Sequence, residues 1–191
     1  MTFNNESYGA TFAEFLQQAP PCALTTGPEN HAVKESLEEL ELEEAFAPHP
    51  IIDHTMAACC LSGLWLLHNF LEHSHALSQD VASPSGSYWH AIMHRREPDY
   101  SNAKYWFRQT GDHPAYLALA IGAQAMAEDH GSDPRLTALT AGGVWRPERF
   151  VDLCEAAATE KQLESVCLRI AELEWRLLFD YCYGSAIGAV S

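Results

Sequence analysis

Apolar positions recur along this chain at intervals of three and four residues, the spacing that gathers side chains on one side of an α-helix. Phe12, Phe15 and Leu16 form the first stripe and predict a helix over 8–18, stopped by Pro20-Pro21. Val33, Leu37, Leu40 and Phe46 make a thinner stripe through 28–47, where the intervening glutamates predict a solvated acidic face. After Pro48 and Pro50 the run 51–79 is apolar almost all round between Met56 and Leu71, which predicts a long, buried central helix.

Ser83-Pro84-Ser85-Gly86 supplies a turn and an N-cap for a helix over 87–96. Pro98-Asp99 ends that helix, and a second over 102–110 is capped by Asp99 or Ser101 and closed by Gly111. His113-Pro114 opens an Ala- and Leu-rich helix that Gly131 ends. Two more follow over 146–158 and 161–183, the last with Leu163, Val166, Cys167, Ile170, Leu173, Leu177 and Leu178 at core spacing. Alternating β-branched strands are missing, and Val and Ile are scarce beside Ala and Leu. The expected fold is therefore all-α: one domain over 1–191, a helical bundle of about seven or eight helices, with 1–7 and 184–191 as frayed ends or, for the tail, tucked into a groove.

Composition narrows the function more than the fold. The 191 residues are 47% hydrophobic and carry a formal net charge of −15. Residues 1–80 hold twelve carboxylates against one lysine, residues 81–191 fourteen against ten cations. Such a balance repels phosphate backbones and anionic bilayers, so nucleic acid and membranes are poor partners. The longest apolar run, 56–67, is interrupted by Ser62 and Gly63 and is too short to span a bilayer. The start shows no cationic and apolar leader, and the six cysteines form no C-x-x-C pair. Both point to a cytoplasmic protein with reduced, buried thiols.

The unusual chemistry is concentrated in 88–113, which holds His90, His94 and His113, the cations Arg95, Arg96, Lys104 and Arg108, and the aromatics Tyr88, Trp89, Tyr105 and Trp106. Burying such groups is costly unless they pair with each other or with a ligand. His90 and His94 are four residues apart and project from one helix face, as zinc ligands do. They are candidates for metal ligation or, with Glu97, for proton transfer near neutral pH. Arg95, Arg96, Lys104 and Arg108 outnumber Glu97 and Asp99, leaving spare positive charge. With Asn102 and the aromatics as walls they could hold a small anionic molecule. The competing reading is an ion-pair network that ties two helices together.

A second constellation lies on the expected central helix. His54, Leu61, His68 and His75 are seven residues apart, and Glu72 shares a face with His68 and His75. His68, Glu72 and His75 are the side-chain types that hold a divalent transition metal in a helical bundle. Against this, His68 could equally be a core histidine.

Tyr100, Ala103, Phe107, Thr110 and Pro114 resemble the second helix of a tetratricopeptide hairpin, and Trp89 with Ile92 resembles the first. The resemblance covers one copy and implies a helix–turn–helix hairpin. Two functions follow from these residues. In the first, a pocket between 51–79 and the 88–113 hairpin binds a small anion and a divalent metal, with catalysis open. In the second, the hairpin is a protein–protein interaction module. A homodimer through an apolar helix face fits either.

Overall fold

A computed structural model describes residues 5–131 and 133–189, and every regular element among them is helical. The N-terminal part comprises a 3-10 turn (Asn5–Tyr8) and α1 (Ala10–Gln17). A further 3-10 turn (His31–Val33), α2 (Lys34–Glu38) and α3 (Leu42–Phe46) follow. Phe12, Phe15, Val33, Leu37 and Phe46 are buried as the stripes predict, with Leu40 half-buried. The 28–47 stripe is broken at 39–41, where glutamates crowd the chain and like charges a turn apart oppose a continuous helix.

The expected helix over 51–79 is two helices, α4 (His54–Leu67) and α5 (Leu71–Gln79). Asp53 caps α4, its carboxylate accepting from the Thr55 and Met56 amides at 2.8 and 3.1 Å. At the other end Asn69 adopts φ +67, a left-handed conformation that asparagine tolerates better than most residues, and the chain turns back. The two helices are then joined by Ser62, whose hydroxyl lies 3.0 Å from both the Ser74 carbonyl and the Ser74 hydroxyl.

α6 (Pro84–Arg96) starts at the Ser83 cap, which accepts from the Gly86 amide at 3.0 Å, and α7 (Tyr100–Thr110) starts at Asp99, which accepts from Asn102 at 3.2 Å. Gly111, at φ +63, closes α7. The remaining helices are α8 (Ala115–His130), the short α9 (Pro134–Ala138) between the helices expected to end at Gly131 and to begin at 146, α10 (Pro147–Ala157) and α11 (Lys161–Ala186). α11 runs through Gly184 to Ala186, whose carbonyl accepts from the Ile52 and Asp53 amides at 2.7 and 3.1 Å. Of the ends expected to fray, 1–4 and 190–191 lie outside the described residues.

Two apolar clusters form the interior. One gathers α1, α4, α5, α6 and the second half of α11; the other gathers α8, α10 and the first half of α11. Between them, Glu174 of α11 is wholly buried and accepts from Arg95 of α6 at 2.5 Å, while the Arg95 guanidinium lies 4.6 Å over the Phe150 ring. Trp89 packs so closely on α4 that a Cβ at Gly63 would come within 2.6 Å of its indole. No helix among the described residues is long and apolar enough to cross a membrane.

Candidate metal centre

α5 and α6 are adjacent antiparallel neighbours joined by a short turn, and they bring His75, His90 and His94 together. One ring nitrogen of each lies within 4.8 Å of the others, and the ring centroids are separated by 4.6 Å (His75–His90), 4.7 Å (His90–His94) and 5.4 Å (His75–His94). His90 and His94 are buried and His75 is half-buried, so the cluster reaches solvent along the α5 side. Trp106 of α7 covers the His90 ring at 4.1 Å, and Tyr105 stands edge-on to Trp106.

The polar contacts around the rings favour one tautomer for His90 and for His94. Glu97, a carboxylate that only accepts, is 3.3 Å from His94 Nδ1, which places the proton there and the lone pair on Nε2. The Ser78 hydroxyl donates its single proton to the His75 carbonyl at 3.2 Å and therefore accepts from His90 Nδ1 at 3.2 Å. His90 Nε2 is then a lone-pair nitrogen as well. Asn102 Nδ2 stands 3.0 Å from His94 Nε2 and 3.4 Å from Nδ1, and with the proton on Nδ1 it donates to Nε2.

Burial, followed by the neighbouring His94 and His75 rings, pulls the His90 pKa down from 6.5 to about 3. Burial lowers His94 also, with Glu97 and Asp99 opposing. Both imidazoles are neutral at pH 7, the form that ligates a metal. Around a tetrahedral ion with bonds of about 2.0–2.1 Å, ligand nitrogens stand about 3.4 Å apart. The cluster thus needs a contraction of up to about 1.4 Å, within reach of rotation of the half-buried His75 side chain. The donor set fits a borderline ion such as Zn²⁺, and Glu97 and Asp99 offset its charge.

The triad differs from the one read on 51–79. His68 and Glu72 do not join His75, because the turn at Asn69 puts His68 at the end of α4 and re-aims α5. His68 is a core histidine: its Nδ1 lies 3.0 Å from Asn30 Nδ2, Phe15 packs edge-on to it, and burial lowers its pKa to about 4. Glu72 is exposed on α5. His113 is likewise structural, accepting from the Ala115 amide at 3.2 Å and meeting Ser85 Oγ at 3.1 Å.

The cations do not converge on one pocket. Arg95 meets Glu174, Arg96 donates to the Leu66 carbonyl at 2.7 Å and to Asn69 Oδ1, Lys104 meets Asp152, and Arg108 meets Glu148 at 2.5 Å. Tyr88 is buried and donates to Glu174 at 3.2 Å, and Trp89 is buried against Gly63 and Trp175. The aromatic positions that resemble a tetratricopeptide hairpin are core positions of α6 and α7. Of the expected walls only Trp106 and Asn102 touch the histidines, while Tyr105 is largely exposed.

Two participants escaped the sequence reading. Ser78 orients His90 and was visible only as the residue three after His75. Glu174 was legible: Ile170, Glu174 and Leu178 are spaced four apart, and a carboxylate inside a core stripe calls for a buried cation. Compared with protein-family models, curated proteins and solved structures, the chain matches none.

Proposed function

We propose that this protein binds one divalent transition metal, zinc by preference, through His75, His90 and His94 at the α5–α6 seam of a helical bundle centred on the α4–α5 pair. The observation that carries the reading is the meeting of three imidazoles from two helices, two of them with a side chain, Glu97 or Ser78, on Nδ1, which leaves Nε2 as the ligating nitrogen once Asn102 gives up its hydrogen bond to that of His94. Three protein nitrogens leave a fourth position for water, whose pKa a bound zinc would lower towards neutrality. Glu97 positions His94, Ser78 positions His90, and Trp106 shields one side of the site from solvent. Glu97 and Asp99 are the nearby carboxylates that could take up a proton from such a water.

This reading is preferred to an interaction module because the ring nitrogens of His90 and His94 face side chains of one another's neighbourhood and not backbone carbonyls. It is also preferred to an anion pocket lined by all four cations, since three of the four already have carboxylate partners. Zinc titration of protein carrying no histidine tag tests it. About one equivalent should bind to the wild type, and His90→Ala and His94→Ala should each lose binding while retaining helical circular dichroism. Zinc uptake unchanged in both variants would remove the proposal.

A further inference from the structure

A cavity of about 340 Å³ lies on the far side of α6 from the histidines, in the size range of small-molecule sites. At 100° per residue, Ile92 and Arg96 point roughly opposite to His90 and His94, so one helix serves two separate places. The cavity walls are mostly apolar, with Leu16, Pro20, Leu67, Ile92 and Trp175 among them, and the exposed Cys22 lines it.

Arg96 is the anomaly in this wall. It is 8% exposed, and its nitrogens reach only neutral acceptors, the Leu66 carbonyl at 2.7 Å and Asn69 Oδ1. Its Nε is buried and has no hydrogen-bond partner. No ion pair is formed by it among the described residues, in contrast to its neighbour Arg95, which Glu174 neutralises. Carbonyls at the C-terminal end of α4 supply a partial negative charge, which is less than a guanidinium calls for. Burial, opposed by the neighbouring Cys22 and assisted by Arg95 alongside, pulls the Arg96 pKa down to about 10, as expected for a cation short of a counter-charge. Buried charges are ordinarily paired, and the cost of leaving this one alone is the free energy a ligand can recover.

We infer that this cavity is a binding site for a small monocarboxylate with an apolar body, its carboxylate on Arg96 and its hydrocarbon against Leu16, Ile92 and Trp175. A single negative charge matches the single uncompensated cation. Glu172, which also lines the cavity, disfavours a phosphate dianion in the same place. The site is independent of the metal reading, because none of His75, His90 and His94 lines the cavity.

The probe is octanoate, followed by calorimetry, with octan-1-ol and octylammonium as neutral and cationic controls of the same length. Octanoate should bind at least about tenfold more tightly than octanol, the scale of one charge-assisted hydrogen bond, and octylammonium should not bind. Arg96→Gln should abolish the preference of octanoate over octanol. Cys22→Trp, at an exposed position that lines the cavity near Arg96, narrows the cavity while keeping the cation, and should block octanoate with the thermal midpoint kept. That second variant decides the matter if Arg96→Gln fails to fold. His90→Ala and a chelator should leave octanoate binding unchanged, so loss of the metal site and loss of this site are read separately. Equal binding of octanoate and octanol, no binding at all, or full binding to Cys22→Trp would each overturn the assignment.

Discussion

Single side chains set the state of the histidine cluster. Glu97 fixes the His94 tautomer from outside the site, whereas Asn102 competes for the nitrogen that a metal needs. The two should therefore act in opposite directions. Glu97→Gln is expected to weaken zinc about 10-fold or more, the usual cost of losing a group that orients a ligating histidine. Asn102→Ala frees His94 Nε2 from one neutral hydrogen bond and is expected to tighten zinc by about 2–10-fold. Parallel zinc titrations of the two variants check this; weakening by Asn102→Ala would show that the amide supports the ligand set. At this scale the sequence was partly legible. The spacing of His90 and His94 announced a shared face, and the histidines and Asn102 were named from residue type alone. The partner of that pair, His75, was named, but together with His68 and Glu72, which do not join it, because a seven-residue spacing has meaning only on an unbroken helix, and Asn69 breaks it.

Among elements, the contact of α6 with α11 carries the heaviest electrostatic load. Arg95 and Glu174 are 2% and 0% exposed, and Tyr88 adds a second donor to the carboxylate. Neutralising one member leaves the other charge buried, so Glu174→Gln is expected to cost about 3–5 kcal/mol. Urea unfolding of the variant against the wild type measures this, and a loss below about 1 kcal/mol, as for an exposed pair, would show that water reaches the pair. The α6–α7 hairpin was well read at its ends Arg96 and Thr110, while its helices begin at Pro84 and Tyr100, directly after the caps Ser83 and Asp99 and three and two residues before the expected 87 and 102. Reading failed at 28–47 and 51–79, where apolar periodicity continues through a turn and only a short polar stretch marks the break. The cations were recognised as a cluster, yet their partners Glu148, Asp152 and Glu174 lie 40 to 79 residues away in sequence; only Glu174, inside a core stripe, shows a local need for a cation, and nothing local says which one.

At the scale of the molecule, four histidines are buried in neutral form, and His68, His90 and His113 are the most depressed of them. Burial takes His68 and His113 down from 6.5 to about 4, and His90, which also has two imidazole neighbours, to about 3. All three are depressed, so below pH 6.5 the unfolded chain takes up protons that the folded chain refuses. The stability they contribute is complete above pH 6.5 and is lost progressively as the pH falls towards 4. The urea midpoint should fall between pH 7 and pH 5, ahead of most carboxylate titration, and a midpoint constant over that interval would contradict neutral burial. All-α character was legible from periodicity alone, and the acidic surface from composition. The existence of two apolar clusters joined along α11 was not, because the stripe on 161–186 reads the same whichever helices it packs against.

X-ray absorption at the zinc edge of the loaded, tag-free protein tests the central claim most directly. Three imidazole nitrogens with a fourth light ligand are expected at about 2.0–2.1 Å, with that signal lost in His90→Ala. Sulfur at about 2.3 Å, or a shell of oxygens without imidazole scattering, would contradict the histidine centre.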